Sequence, residues 1–304
     1  MKIKVEYIIL ILIITALSAF LLLKNNNRTN YNLPQLPRIE EKDISKIILH
    51  KADEEILLAK ENDEWLINKD KFSADKEKMN AIIKEIAGLN LSALVSESKN
   101  YAIYDLDKDK KIGLEVLSGD KTLLKMDIGK TASSYRHTFV KPDNDYKVYQ
   151  ANGNLRSAFD KKVSDLRDKS IMRFDEDIAE VILNDGRREM KITKKITLAD
   201  SGAAEWTADK NEKIKGNEIE QIINNLRNMN CDDFAEGKTK DDFDKFIYKI
   251  ELKGNKTYSI SFIEKKDDKY IAISSKNAYP FFIHEGRAKN LMKELDSLID
   301  KEKK

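Results

Sequence analysis

The segment Ile44-Ser45-Lys46-Ile47-Ile48-Leu49 recurs as Ile178-Ala179-Glu180-Val181-Ile182-Leu183, and each copy opens a similar succession of patterns. Both segments are short apolar runs rich in β-branched residues, which is typical of a β-strand. In each half, further strand patterns, one amphipathic helix, a hairpin and two more strands follow in the same order. The sequence therefore predicts two copies of one structural unit.

A tryptophan and a helix mark the same places in both halves. Trp65 falls in the third strand pattern of the first half, and Trp206 takes its place in the second. We expect Ser73 to cap the first helix, and Asn217 with Glu220 three residues later to form a capping box for the second. Each helix has one apolar stripe at three- and four-residue steps, which predicts a single buried face. The stripes are Met79, Ile82, Ile83, Ile86 and Leu89 in the first helix, and Ile219, Ile222, Ile223, Leu226 and Met229 in the second.

The order of the patterns indicates the fold class. Strands run together and single helices interrupt them, which argues against a doubly wound parallel sheet. We therefore predict an α+β protein in which an N-terminal transmembrane helix precedes two similar units, each a mostly antiparallel sheet with packed helices. The expected division is a cytoplasmic tail and anchor over 1–24, a tether over 25–41, a first unit over 42–174 and a second unit over 175–304.

The predicted anchor is the apolar run Tyr7–Leu23, seventeen residues without a charge. As a helix it would rise about 26 Å, close to the ~30 Å of a bilayer's hydrocarbon core. Lys2 and Lys4 precede it, and Lys24 and Arg28 follow, and their long side chains can reach the headgroups from either end. These features predict a single-pass anchor that contacts the lipid bilayer through residues 7–23.

Two alternatives for this run stay open. A cleaved signal peptide would need a small-residue cleavage site, whereas here Leu21-Leu22-Leu23 leads directly into Lys24. A buried core helix would need other apolar helices around it, and the rest of the chain is too polar for that. The basic residues on the two sides of the run nearly balance, so the positive-inside rule does not determine the orientation of the anchor. Because the tail before the anchor is very short, we expect the body on the extracytoplasmic side of the cell membrane.

Composition narrows the class of partner. The chain has 304 residues, 36% of them charged, and a formal net charge of +2. The first thirty residues hold four basic residues and one acidic residue, which leaves −1 for the remainder. A nearly neutral body has no electrostatic footprint for nucleic acid. The single cysteine, Cys231, excludes an internal disulfide and cysteine-based zinc sites, and we interpret it as a small half-buried hydrophobic residue.

Few motifs indicate chemistry. Asp105, Asp107 and Asp109 alternate as in a calcium loop, but that loop needs glycine where Lys110 stands and glutamate where Val116 stands. We interpret them as an exposed acidic turn.

The remaining candidate residues are three separate histidines in or beside predicted strands and a set of tyrosines that could stack on a sugar or a nucleotide. We expect the histidines to be surface or strand residues and the tyrosines to be core or cross-strand pairs. We therefore expect no catalytic, cofactor-binding or metal-binding residues. The residues concerned are His50, His137 and His284, and Tyr101, Tyr104, Tyr146 and Tyr149.

Several of these segments together resemble a known family. They are Trp65 followed by Ser73-Ala74-Asp75, Tyr104-Asp105-Leu106-Asp107, Asp127-Ile128-Gly129-Lys130, Val148-Tyr149, and Leu166-Arg167-Asp168-Lys169 before Phe174. On these residues the chain resembles the membrane-anchored proteins of domain-of-unknown-function family 4340, over most of residues 42–300. Members typically carry Tyr-Gly-Leu where this chain has Asp105 in the glycine's place, so a different turn is expected there. The resemblance implies a partner of ABC-type transport systems, including those linked to gliding motility, and it implies no catalytic residues.

Two classes of function follow. The first is a non-enzymatic accessory protein, anchored in the membrane, that binds an ABC-type transporter or another envelope protein through its surface. The second is an exported enzyme with a site in the cleft between the two units. The absence of a recognisable nucleophile, acid–base pair or metal motif in the sequence favours the first class.

Overall fold

The computed structural model describes residues 5–23, 32–196, 204–209 and 212–300. The chain divides into two compact units. The first comprises Met1–Lys69 and Glu77–Lys161, and the second comprises Asp70–Lys76 and Lys162–Lys304.

The first unit is an antiparallel sheet with helices. Its strands are β1 (Lys46–His50), β2 (Glu55–Glu61), β3 (Glu64–Ile67), β5 (Leu91–Ser96), β6 (Ile112–Ser118), β7 (Lys121–Thr131), β8 (His137–Pro142) and β9 (Val148–Asn152), and its helices in the body are α2 (Lys76–Ala87) and α3 (Leu155–Phe159). The eight strands follow the order β3-β2-β1-β6-β7-β8-β9-β5, with antiparallel neighbours. Short 3-10 helices lie at Glu41–Asp43 and Tyr101–Tyr104.

Alternating side chains build the core of this unit. In β1 the buried residues are Ile47 and Leu49, and Ile47 lies opposite the buried Leu58 of β2. This period of two places every second residue on the inner face of the sheet. The helix α2 buries Met79, Ile82, Ile83 and Ile86, as its apolar stripe predicts, while Leu89 lies beyond its end and is half-buried.

The second unit repeats the architecture. Its elements are β4 (Phe72–Ser73), α4 (Val163–Leu166), β10 (Ser170–Arg173), β11 (Glu180–Asn184), β12 (Glu189–Ile196), β13 (Ala204–Ala208), α5 (Gly216–Arg227), β14 (Asn228–Asn230), β15 (Asp233–Phe234), β16 (Tyr248–Lys253), β17 (Thr257–Lys266), β18 (Lys269–Ser274), β19 (Phe281–His284), α6 (Glu285–Leu291) and 3-10 helices at Lys240–Asp242 and Leu295–Leu298. The main sheet has the order β13-β12-β11-β16-β17-β18-β19-β15, and β10 pairs with β14 in a separate two-stranded sheet. The strand β10 pairs with β14 inside this unit. The main part of the second unit therefore begins at Lys162, whereas the sequence predicted a beginning at residue 175.

The two main sheets have the same strand order. The strands β1, β2 and β3 correspond to β11, β12 and β13. In the same way, β5 corresponds to β15, and β6 to β9 correspond to β16 to β19. Backbone hydrogen bonds recur as well: Asp168 N donates to Ser73 O at 2.8 Å, and Asp300 N donates to Lys213 O at 2.9 Å. The two α+β units are thus copies of one mostly antiparallel design, in which Asp168 and Asp300 make corresponding backbone hydrogen bonds.

The helix ends differ from the sequence-based expectation. Ser73 lies in β4 instead of capping α2, which begins at Lys76. The capping box of Asn217 and Glu220 is wrong too, since α5 begins at Gly216 and Glu220 instead accepts a hydrogen bond from Trp206. Two short helices follow β9 and two follow β19, and the members of each pair are separated at residues 160–162 and 292–294.

The N-terminal helix α1 (Val5–Leu23) is apolar. Every large apolar side chain between Ile9 and Phe20 is more than half exposed. Among the described residues, no helix has both the length and the apolar character needed to cross a membrane. The transmembrane anchor over residues 7–23 therefore stays a prediction, as does the orientation of the body.

Candidate functional site around Arg167

Arg167 is a charged residue that the fold buries. It follows α4, where its backbone turns extended, and its N–H donates to Val163 O at 3.1 Å. It forms an isolated bridge with Ala74, and the next residue, Asp168, receives a hydrogen bond from Ser170 N at 2.8 Å. These backbone contacts hold the side chain in place, and only 4% of the residue is exposed.

Three aromatic rings surround the guanidinium. The centroid of Phe234 lies 3.5 Å from Cζ of Arg167, that of Phe72 lies 3.8 Å away, and that of Tyr279 lies 5.0 Å away. Two rings this close cannot share one face of the guanidinium without overlapping, so Phe72 and Phe234 cover opposite faces. Tyr279 packs edge-on against Phe72 with centroids 5.1 Å apart. We call Arg167, Phe72, Phe234 and Tyr279 the arginine slot.

The rings are held by the sheet and by one loop. Phe234 lies in β15 opposite Phe281 of β19. Tyr279 lies between β18 and β19, where its N–H donates to Asn277 Oδ1 at 2.9 Å. Asn277 in turn donates from Nδ2 to Ser170 O at 3.2 Å, which ties this loop to β10. The slot is therefore fixed by backbone geometry from four separate parts of the sequence.

The electrostatics of the slot are unusual. Burial lowers the pKa of the Arg167 guanidinium, while the nearby Tyr279, Cys231, Glu236 and Asp233 act in the opposite direction. Within the described residues, no oxygen accepts a hydrogen bond from this guanidinium and no carboxylate forms an ion pair with it. Among those residues the nitrogens of Arg167 are not fully buried; the one fully buried side-chain atom without a geometric hydrogen bond is Glu218 Oε2, which is paired with Lys293 Nζ at 2.9 Å. The free N–H groups of Arg167 therefore still reach solvent at the edge of the slot.

Cys231 lies beside this site as an inert thiol. Its N–H donates to Lys169 O at 2.8 Å, and the residue is 4% exposed. Burial raises the pKa of the thiol to about 11, so it stays protonated at neutral pH. A protonated buried thiol is a poor nucleophile. This agrees with its interpretation as a small hydrophobic residue, although it is more fully buried than expected.

The three histidines have separate local partners. His50 Nδ1 lies 3.0 Å from Glu55 Oε2 on the neighbouring strand. His137 Nδ1 lies 3.3 Å from Ser134 Oγ. His284 precedes α6 and its Nδ1 accepts a hydrogen bond from the N–H of Gly286. Within the described parts of the chain, no group of three His, Cys, Asp or Glu residues is arranged to hold a metal ion.

The acidic turn at Asp105 is organised by local contacts. Asp105 has φ +54° and ψ 37°, the left-handed conformation that glycine favours. Its Oδ1 lies 3.4 Å from Lys110 Nζ, and Asp107 Oδ1 accepts a hydrogen bond from Asp109 N. Asp105 thus adopts a conformation that a glycine would take more readily, and the expectation of a turn different from that of family members stays a prediction. The interpretation as an acidic turn accounts for all three residues.

The tyrosines of the first unit make individual contacts. Tyr149 donates its hydroxyl hydrogen to Asp145 Oδ2 at 2.6 Å, and Tyr101 donates to Tyr146 O at 3.0 Å. Tyr104 packs against Phe139 with ring centroids 5.0 Å apart. Only Tyr149 lies in a strand and is buried, so the expectation of core or cross-strand residues is correct for Tyr149 alone. Tyr101 and Tyr104 lie half-buried in the 3-10 helix, and Tyr146 is 47% exposed.

An open groove of about 470 Å³ lies elsewhere in the second unit. Its charges are mixed, since Arg187, Arg188 and Lys245 face the same space as Glu189 and Asp244. Arg188 is already paired with Asp296 at 2.7 Å. The groove therefore has no uniform charge that would select a ligand.

Sequence reasoning missed the arginine slot. Its four residues stand at positions 72, 167, 234 and 279, so no local spacing brings them together. The one available signal was Arg167 itself, an arginine placed between the apolar Leu166 and the strand pattern that follows.

Comparison with known proteins gives one match. No curated protein and no solved structure is significantly similar to the chain. The model of a family described as a domain of unknown function, DUF4340, matches residues 65–249, which is more than half of the chain. This stretch includes Trp65, Arg167 and Trp206. The chain belongs to the DUF4340 family.

Proposed function

We propose that this protein is a non-enzymatic accessory protein, held in the cell membrane by α1 with its body on the extracytoplasmic side. It acts by binding a partner through the surface of that body. The partner is an ABC-type transporter or another envelope protein, as the family resemblance implies.

The observation that carries the proposal is the exposed apolar surface of α1. Each Å² of apolar surface left in water costs about 25 cal/mol, and a continuous apolar helix surface is rare on soluble monomers. The side chains from Ile9 to Phe20 form such a surface. A bilayer removes it from water, and the lysines and the arginine on both sides of the run suit the headgroups.

The surroundings of the carboxyl groups with lowered pKa support a binding role for the body. The carboxyls whose pKa is lowered are engaged in structural contacts, such as Glu180 with Lys191 and Lys253, both at 2.8 Å. Hydrogen bonds from Lys265 and Lys289 lower the pKa of Glu285 to about 2 in the same way. Glu180 is paired across strands, while Glu285 is paired within α6 and with β17. Surface ion pairs of both kinds support the local structure. They are not the poised acids and bases that catalysis requires.

Membrane fractionation tests the anchor. We expect the wild-type chain to stay with the membrane pellet after extraction at high salt and alkaline pH. A variant with Leu12→Arg and Ile13→Arg should appear in the soluble fraction, because each charge at the centre of a spanning helix costs about 2.5–3.5 kcal/mol. Ile103→Arg is the matched control: Ile103 is an exposed apolar residue of the body, and this variant should stay in the pellet.

Protease added to spheroplasts tests the orientation, and we expect digestion of residues 42–304. Crosslinking in intact membranes then identifies the partner. A chain that is soluble in its wild-type form, or a body protected in cells with sealed membranes, would contradict the proposal.

A further inference from the structure

Arg167 is buried, charged and without an acceptor for its hydrogen bonds. A guanidinium has five N–H donors, and burying a charged donor without an acceptor is costly. Contacts with aromatic faces offset part of that cost. They act on the faces of the guanidinium and leave the N–H groups, which reach solvent at its edge, as the part that can donate to a ligand.

We propose that the arginine slot is a binding site for a carboxylate group. The guanidinium offers two parallel N–H groups, which match the two oxygens of a carboxylate in one plane. Phe72 and Phe234, at 3.8 Å and 3.5 Å, cover the two faces of the guanidinium, so a ligand can approach only along the edge where the N–H groups reach solvent. A carboxylate is planar, whereas a phosphate places oxygens above and below that plane and would meet the rings.

The slot is preorganised for such a ligand. The guanidinium is already stripped of water on both faces, so binding removes little further hydration. The rings are fixed by β4, β15 and the Asn277 contact described above, so little side-chain freedom is lost. Both factors favour affinity for a group that contacts the protein through only a few atoms.

The charges around the slot act against non-specific anions. Asp233 and Glu236 influence Arg167 through space, and Asp233 Oδ1 is occupied by the N–H of Phe234 at 3.0 Å. Their negative field opposes every anion, the proposed carboxylate included, so long-range attraction alone does not hold an anion here. A carboxylate that enters the slot gains two short charge-assisted hydrogen bonds instead.

The carboxylate could belong to a small organic acid or to an acidic side chain of a polypeptide. The second source rests on the proposed function, because it makes the slot a contact for a partner protein. Binding of a small organic acid does not depend on the proposed function. Binding in solution can therefore fail while anchoring succeeds, or the reverse, and the two proposals are tested separately.

The experiment uses the purified full chain in detergent micelles and calorimetric titration. The probes are glutarate, a hexaglutamate peptide blocked at both ends, glutaramide as the neutral analogue, and inorganic phosphate. We expect glutarate or the peptide to bind, glutaramide not to bind, and phosphate to bind more weakly than the carboxylate. Tighter binding by the peptide than by glutarate identifies a polypeptide source, and the reverse order identifies an organic acid.

Three variants locate the site. Arg167→Met should weaken carboxylate binding by about tenfold or more, because both charge-assisted hydrogen bonds are lost. Arg167→Lys should weaken it by less, since an ammonium keeps the charge but not the planar fork. Arg173→Met is the matched control, an exposed arginine on β10 in the same unit, and it should bind as the wild type does. Thermal melting of each variant establishes that it is folded.

A measurement on the wild-type chain keeps the test independent of folding in the variants. Phenylglyoxal modifies accessible arginines, and mass spectrometry reports the extent at Arg167. We expect glutarate to protect Arg167 and glutaramide not to. An Arg167 that never reacts, equal reaction with and without glutarate, wild-type affinity in folded Arg167→Met, or phosphate binding more tightly than both carboxylates would overturn the proposal.

Discussion

Trp65 and Trp206 occupy the same register position in the two units, since Trp65 lies opposite Lys60 and Trp206 lies opposite Lys194 on the preceding strand. Their burial differs: Trp206 is 1% exposed, while Trp65 is only half-buried. The equivalent position is thus part of the core in the second unit alone. Trp206 also donates from Nε1 to Glu220 Oε1 of α5 at 3.0 Å.

This difference predicts unequal costs of truncation. Trp206→Ala should lower the free energy of unfolding by about 3–5 kcal/mol, because it opens a large cavity. It also removes the donor to Glu220. Trp65→Ala should cost about 1–2 kcal/mol, because part of that ring already lies in water. Urea unfolding of both variants, followed by circular dichroism, checks this, and equal losses would contradict it.

The repeat could be predicted because it depends on local patterns. The helix stripes and the alternating strands are periodic over a few residues, and the buried residues of α2 and α5 follow them. The short strands β5, β10, β14 and β15 were not predicted. Asn228-Met229-Asn230 has little strand character, and its pairing with β10 joins residues far apart in the chain. The arginine slot could not be predicted either, because its four residues are also far apart in the chain.

Asp105 predicts a stabilising substitution. A non-glycine residue at φ +54° bears a steric cost of about 1 kcal/mol. Asp105→Gly removes this cost, but it adds about 0.5 kcal/mol of chain entropy to the unfolded state and gives up an exposed ion pair with Lys110, which contributes little. We expect the free energy of unfolding to rise by about 0.5 kcal/mol.

The neighbouring Asp107 is the control for this substitution. It is not among the residues with positive φ, so glycine there adds only chain entropy to the unfolded state. It also removes the acceptor for Asp109 N. Asp107→Gly should therefore lower the free energy of unfolding by about 0.5–1 kcal/mol. Thermal melts of the two variants should shift in opposite directions, and shifts of the same sign would argue against a strained Asp105.

The hydrogen bond from Tyr149 to Asp145 predicts a pH-dependent stability. Burial opposes ionisation of Asp145, but the hydrogen bond from Tyr149 and the contacts of Lys147 outweigh it, and the pKa of Asp145 is lowered. A lowered pKa contributes stability above the unfolded value of about 3.9, and that stability is lost as pH falls through the folded pKa. Burial and the bond to Asp145 raise the pKa of Tyr149. The raised pKa of Tyr149 therefore adds to the free energy of unfolding below about pH 10, and this stabilisation is lost as pH rises from there through the folded pKa.

Tyr149→Phe isolates this pair. At pH 7 it should lower the free energy of unfolding by about 1–2 kcal/mol, since a hydrogen bond to a charged acceptor is lost. The difference from wild type should shrink as pH falls through the lowered pKa of Asp145, because the carboxyl then takes up a proton in both proteins. Tyr101→Phe is the control, because its hydroxyl donates to the uncharged Tyr146 O and its effect should not change over the acid range. Urea unfolding at pH 7 and at pH 2.5–3 measures both, and a constant difference for Tyr149→Phe would contradict the ionic origin.

A protein that acts through its surface should tolerate the loss of its histidines and its cysteine. His50, His137 and His284 each contact a different local partner, and the Cys231 thiol is buried and protonated. None of these groups is placed to act on a substrate together with another. Substituting each of the four singly by Ala should therefore leave function in the cell largely intact, provided that the variant folds.

Deleting the residues up to Glu41 should abolish function, because the body would no longer be held near its partner and the effective concentration would fall. A complementation series at matched protein levels compares these five variants with the wild type. Loss of function in any one of the four point variants, with normal melting of the purified protein, would reveal a reaction centre.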